Sequence, residues 1–276
     1  IIMFKSKIIL LGIFLFFFKS CSQSTKKEQQ YINHFKNSSV ENLVKEIGNE
    51  NIIEIENLVK KNPELLKYTD QRYGTGVLAM CIDLEKYNSF KKLLELGADP
   101  NFINSQNHYS ILIESIAPFG DATEWREDNR YAKLLLEYKA NPNYIVQEFE
   151  EKGLHFSGAS PLYKASSYNI DLVKELIKYG ADKDKRVDGE LPFGEAVSSR
   201  QFDIIYYFID TLNVNVNEPL AIVKKNDGKV IEYYIQDYLK KYMSFKSNSK
   251  SEIKKLELIK KLETMGVDFK NYHYNI

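Results

Sequence analysis

One phrase recurs along this chain of 276 residues, and it restricts the fold more than any other feature. Leu93-Leu94-Glu95-Leu96-Gly97-Ala98-Asp99-Pro100-Asn101 is its clearest copy. Leu135-Leu136-Glu137-Tyr138-Lys139-Ala140-Asn141-Pro142-Asn143 is a second, and Leu176-Ile177-Lys178-Tyr179-Gly180-Ala181-Asp182 a third. Phe208-Ile209-Asp210 followed by Asn213 to Asn217 is a worn copy, and Leu262-Glu263-Thr264-Met265-Gly266-Val267-Asp268 closes the series. Each copy reads as a helix end. Paired apolar residues face a core, and glycine follows at a left-handed position where it carries no Cβ penalty. Lys139 stands where the pattern wants glycine, at a cost of about 1 kcal/mol. An Asp/Asn-Pro-Asn turn suits the tight loop that follows.

A second phrase lies downstream of each first one. Asp188-Gly189-Glu190-Leu191-Pro192-Phe193-Gly194-Glu195-Ala196-Val197 shows it best. In Ser160-Pro161-Leu162-Tyr163-Lys164-Ala165, serine is placed to cap a helix and proline to open it. Ser110-Ile111-Leu112 and Gly76-Val77-Leu78 are weaker starts. Small residues at Cys81, Ser115, Ala165 and Ala196 let neighbouring helices stack closely.

Together these phrases resemble the ankyrin repeat: a turn, a Thr-Pro-Leu-His helix start, a second helix, then Gly-Ala-Asp. The spacing agrees, since Leu78 to Leu112 is 34 residues and the family period is about 33. The family histidine is replaced by Ala79, Ile113, Tyr163 and Gly194, so its hydrogen bonds to the adjacent turn are missing. The resemblance implies an all-α solenoid of about six helix-pair repeats with loop insertions, covering residues 40–276. Leu112 to Leu162 is too long an interval. The excess is assigned to Pro118 to Asn129, between paired helices, and to Tyr144 to Ser157, in a loop. Val40 to Leu66 is expected to form the N-terminal pair, one helix ending near Lys61. In the last repeat a first helix is expected over Val230 to Met243. A second, over Glu252 to Met265, should turn Ile253, Leu256, Ile259 and Leu262 inward.

The N-terminus reads as an address. Lys5 and Lys7 precede an apolar run from Ile8 to Phe18. As a helix that run rises roughly 16 Å, about half a bilayer core, which suits a cleaved signal over residues 1–20. Ser20-Cys21-Ser22 resembles a bacterial lipoprotein signal, which implies acylation of Cys21. Phe18 and Lys19 depart from that motif, and a plain secretory signal is the alternative. Residues 21–39, rich in Ser, Gln, Lys and Asn, are expected to be a flexible tether reaching roughly 20 Å.

Little points to chemistry. Lys plus Arg number 38, as do Asp plus Glu. That balance, with arginine confined to Arg72, Arg126, Arg130, Arg186 and Arg200, disfavours nucleic acid. His34, His108, His155 and His273 lack helical metal-ligand spacing. Cys81 reads as a small core residue. No phosphate loop appears, and Ser157-Gly158-Ala159-Ser160-Pro161 lacks the context of a hydrolase elbow. No cofactor, metal or small-molecule substrate is expected. Glu148, Glu150 and Glu151 read as a solvated insertion. From Lys224 to Lys261 lysines outnumber acids by six. This stretch reads either as a solvated helix face or as a surface for anionic lipid or an acidic partner.

The expected function is therefore a lipid-anchored, non-catalytic protein-binding module of the bacterial cell envelope, with an unknown protein partner. The alternatives are a toxin-neutralising immunity protein and a periplasmic accessory or scaffold protein, with an enzyme as the opposing class. The candidate protein-binding residues are Asn104, Gln106, His108, Trp125, Phe149, Glu150, His155, Phe156, Lys185 and Arg186. Trp125 serves equally as a binding anchor or as a pin for its insertion.

Overall fold

A computed structural model of the chain describes residues 26, 28–116, 128–151, 153–225 and 227–275. The described residues are mostly helical, with two short antiparallel hairpins. The backbone divides into two compact units, Ile1–Asp99 and Pro100–Ile276. The expected signal peptide, Cys21 and Trp125 lie outside the described residues.

The first unit contains α1 (residues 28–34), α2 (Glu41–Gly48), α3 (Ile52–Lys61), α4 (Val77–Asp83) and α5 (Tyr87–Glu95), with a 3-10 turn at Pro63–Lys67. Helix α2 packs on α3 and α4 on α5; α2 also meets α4, and α3 meets α5. Two helix pairs are thus layered like on like. Asn51 caps α3 by accepting from the Glu54 N–H, and Ile55 and Val59 are its buried seam. Helix α1 corrects the expected tether of residues 21–39 over its described part, residues 28–39. Phe35 is 2% exposed, Tyr31 donates to Asp83 at 3.0 Å, and Ile32 packs against Gly48. An aromatic anchor of that size binds the stretch to the unit.

The second unit holds α6 (Ile111–Ile116), α7 (Arg130–Glu137), β1 (Phe149–Glu151), β2 (Leu154–Phe156), α8 (Pro161–Ser166), α9 (Ile170–Lys178), α10 (Pro192–Ser198) and α11 (Phe202–Asp210). It continues with β3 (Ala221–Lys224), β4 (Val230–Tyr233), α12 (Ile235–Tyr242) and α13 (Lys250–Thr264). Helices α6, α8, α10 and α12 stack in that order, and α7, α9 and α11 form a second row. Ser115, Ala165 and Ala196 are buried within the first row, where small side chains permit close approach. Leu172, Val173 and Leu176, at helical spacing on α9, are fully buried between the rows.

Local expectations about caps hold. Ser160 accepts from the Tyr163 N–H, with Pro161 opening α8. Gly97, Gly180 and Gly266 adopt φ of 97°, 87° and 89°, and Lys139 adopts 66° at the corresponding place. Asparagines of the recurring phrase also bridge successive turns. Asn101 accepts from the Asn141 N–H at 2.7 Å. Asn143 accepts from the Asp182 N–H at 2.7 Å and donates to the Gly180 carbonyl at 2.8 Å.

Two helix expectations need correction. Residues 230–233 are strand β4, and α12 begins only at Ile235. The β-branched pair Val230-Ile231 follows a left-handed Gly228 (φ 83°) and pairs back on β3. On α13, Leu258 and Leu262 are buried, whereas Ile253 and Leu256 are each 50% exposed. Leu258 and Leu262 are one turn apart and form the inward seam; Ile253 and Leu256 fall on the other side. Beyond α13 the chain folds back on α12. Asp237, 1% exposed, accepts from the Tyr234 N–H, the Tyr272 hydroxyl (2.5 Å) and the Asn275 N–H.

Candidate functional site

Ahead of α4, α6, α8 and α10 the chain makes a turn closed by a β-bridge. In the second unit these bridges are Ile103 with Ser110, Val146 with Ala159, and Val187 with Glu190. The hairpin β3–β4 precedes α12 in the same way. Two of these four projections are long hairpins, and the short turn 187–190 lies between them in sequence and contacts both.

The hairpin β1–β2 is built from the Tyr144 to Ser157 insertion. Its register pairs Phe149 with Phe156, Glu150 with His155, and Glu151 with Leu154. Alternation places Phe149 and Phe156 on one face and Glu150 and His155 on the other. Phe149 stacks between His108 and Phe156, with centroid separations of 4.6 Å on both sides. Beneath the stack Tyr109, Ile113, Val146 and Ala159 form a small apolar cluster against which Tyr144 and Phe149 pack. The Tyr109 hydroxyl donates to the Ser157 carbonyl at 2.9 Å, and the Tyr144 hydroxyl to the His108 carbonyl at 2.8 Å.

From the other side, Asp188 secures the hairpin's base. Its carboxylate accepts from the Glu148 N–H at 2.6 Å and the Gly158 N–H at 2.9 Å. Its own N–H donates to the Gln147 side-chain oxygen at 2.6 Å. A Cβ on Gly158 would run into that carboxylate, which is why this position has no side chain. The outer face is acidic and wet: Glu148, Glu150 and His155 are exposed, with His155 Nε2 3.9 Å from Glu148 Oε2. Ion pairs so exposed contribute little to stability.

The sequence-derived candidates therefore separate. His108, Phe149, Glu150, His155 and Phe156 come together on or against this hairpin. Gln106 lies in the adjoining turn, donating its N–H to Asn104. Lys185 is exposed and reaches the Asn143 carbonyl at 2.9 Å. Asn104 and Arg186 face inward. Asn104 is 5% exposed; it holds its own turn through the Gln106 and Asn107 N–H groups and donates to Glu114. The Arg186 guanidinium donates to the carbonyls of Gly189, Pro219 and Leu220 and pairs with Glu218 at 3.3 Å. Both are fastenings within the fold: Asn104 is buried and matched, as a buried polar group must be, and the half-buried Arg186 guanidinium is occupied by these carbonyls.

Sequence reasoning missed a polar floor beside turn 187–190. Glu190 accepts from the Tyr163 hydroxyl at 2.8 Å and the Tyr238 hydroxyl at 2.6 Å, tying α8 and α12 through one carboxylate. Glu195 accepts from Ser199 at 2.9 Å. Burial, reinforced by Glu190, holds the Glu195 carboxyl above the ordinary range. Burial also pushes the Tyr163 and Tyr238 phenols up and Lys164 down. The available signal was Tyr163 standing where the repeat pattern has histidine, which still bonds to the adjacent turn.

Among the described residues no cluster of three or more His, Cys, Asp or Glu side chains is arranged to hold a metal ion. Cys81 is fully buried, and burial pushes its thiol well up. Among the described residues no helix is long and apolar enough to cross a membrane. No protein-family model matches the chain, and no curated protein matches it.

Proposed function

We propose that the chain is an ankyrin-repeat protein-binding module, held at the bacterial cell envelope by an acylated Cys21. In this reading the β1–β2 hairpin and the turns beside it read the partner. The observation that carries the reading is that each copy of the recurring phrase ends a second helix, with Asn101 and Asn143 each binding the turn of the next copy. Such nearest-neighbour connection is what a stacked repeat array requires. The hairpin supplies a half-buried aromatic, Phe149, beside exposed Glu150 and His155. An aromatic anchor with a charged rim suits a protein interface. Phe149, Glu150, His155, His108, Gln106 and Lys185 are the residues assigned to it, and Phe156 supports the stack.

The test is photo-crosslinking in bacterial cells with an aromatic crosslinker at Glu150 or His155, against a control at Asp171 on α9. One partner captured from the hairpin positions and lost in Phe149→Ala supports the reading. A single toxin-like partner favours immunity, and several envelope proteins favour a scaffold. Equal capture from Asp171 removes the hairpin from the reading. The anchor is tested separately by the intact mass of membrane-associated protein: acyl mass at Cys21, absent in Cys21→Ala, is the expected result.

A further inference from the structure

The hairpin β3–β4 leaves three aliphatic side chains in water within one short ribbon. Ile222 is 37% exposed, Val223 40% and Val230 54%. The register pairs Ile222 with Glu232, Val223 with Ile231 and Lys224 with Val230. Successive residues alternate sides, so Ile222 and Val230 share one face and Val223 and Ile231 the other. Apolar surface is thus exposed on both faces of a thin ribbon. A protein partner laid on one face would leave the other face wet. A medium that surrounds the ribbon would cover both.

The charges at the tip indicate which medium. Lys224, Lys225 and Lys229 are exposed, and among the described residues none of them is in an ion pair. The tip's acid, Asp227, accepts from the Lys229 N–H at 2.9 Å, and one carboxylate against three ammonium groups leaves the tip net basic. Lysine stems lie along apolar surface while their ammonium groups stay at the polar level. Positive charge next to exposed aliphatic side chains complements an anionic bilayer, and basic residues near such a surface are attracted individually. The hairpin is fastened to the stack at its base, through Ile222 to the Gly189 carbonyl at 3.0 Å and Leu191 to the Leu220 carbonyl at 2.9 Å. The tip therefore projects while its root stays fixed.

We propose that β3–β4 is a lipid-contact element. It seats on an anionic bilayer surface with Lys224, Lys225 and Lys229 at the phosphate level and Val223 and Val230 at the acyl boundary. The contact does not depend on an acylated Cys21, and it leaves the β1–β2 hairpin free for a protein partner.

The test uses the full chain carrying Cys21→Ser, with an environment-sensitive fluorophore attached at Val223→Cys or Val230→Cys, and at Glu150→Cys as the control. Cys81 is fully buried and does not compete for label. Vesicles are phosphatidylcholine alone, or phosphatidylcholine with phosphatidylglycerol. The expected result is a blue shift and several-fold brightening at positions 223 and 230 on anionic vesicles only, with no change at 150. Reversing the three lysines to glutamate should lower partitioning about a hundredfold at low salt, with an unchanged melting temperature showing that the fold survives. Any binding through the apolar run 8–18 is expected to be independent of lipid charge, and the neutral vesicles report that contribution. Equal shifts at 223 and 230 on neutral vesicles, binding to anionic vesicles without those shifts, an unaffected triple variant, or capture by an acidic protein without any anionic-vesicle shift at 223 and 230 would each overturn the proposal.

Discussion

The two hairpins of the second unit leave the same stack and flank the same short turn, yet they are held by different chemistry. The β1–β2 hairpin is secured by side chains: the Asp188 carboxylate at its base, the Tyr109 and Tyr144 hydroxyls and the aromatic stack beneath it. The β3–β4 hairpin is attached to the short turn chiefly by backbone, through Gly189 and Leu191 to Ile222 and Leu220, with Arg186 on the Pro219 and Leu220 carbonyls and Asn275 on the Glu232 carbonyl as side-chain supports. The first presents acids and aromatics, the second lysines and aliphatics. A position held by side chains can be altered by one substitution at the holder. A position held by backbone changes only when the backbone itself is forced.

The largest effect that follows is at Gly189. It sits at φ 85°, and an added Cβ would run into the Ile222 carbonyl oxygen. Gly189→Ala should cost about 3 kcal/mol and strip hydrogen-exchange protection from residues 220–225. Unchanged protection there would refute the backbone attachment. Gly158→Ala meets only a side chain, Asp188, which can swing away at the loss of two hydrogen bonds. We expect about 2 kcal/mol, with faster exchange confined to 146–159. A cost as large as that of Gly189→Ala would break the contrast between the hairpins. Asp188→Asn keeps one acceptor and turns an amide donor toward the other N–H. Its cost should be about 1 kcal/mol, read from denaturant midpoints, with β3–β4 unaltered.

The smallest effect lies in the floor between the hairpins. The folded carboxyl of Glu195 is raised by burial, so the native state binds more protons there than the unfolded chain does. Its contribution to stability is present below the ordinary carboxylate pKa and is lost as pH rises through the raised value. Glu195→Gln should therefore flatten that loss in midpoints measured from acid to neutral pH. A steeper loss in the variant would reverse the assigned sign.

Much of the helical layout was legible because it rests on local rules. Gly97, Gly180 and Gly266, and even Lys139, take the left-handed conformation that the phrase demands. Ser160 and Pro161 open a helix where their chemistry places them. Strand β4 was misread because Val230 to Met243 is apolar enough for a helix, and only pairing with β3 decides against it. The inward face of α13 was misread because Ile253, Leu256, Leu258, Ile259 and Leu262 offer more than one stripe. The candidate site was legible in part. Aromatics in an insertion marked the hairpin, but nothing local separates an exposed Glu150 from an Asn104 occupied by its own turn. Asp188 was missed because its partners, Glu148 and Gly158, are remote in sequence.

Asp188 also bears on how such a molecule could diversify. It grips the two ends of the hairpin and touches nothing at the tip. The stack therefore senses whether the ends arrive together with Phe149 on its apolar cluster, and is indifferent to what lies beyond. Residues 150–155 could be exchanged for a longer, shorter or differently charged loop at little cost to the helices, provided that Phe149 and Phe156 keep the aromatic stack, residues 148 and 158 keep their N–H groups and position 158 stays glycine. The carboxylate works as a socket, and the recognition element plugged into it can be swapped while the scaffold is inherited unchanged.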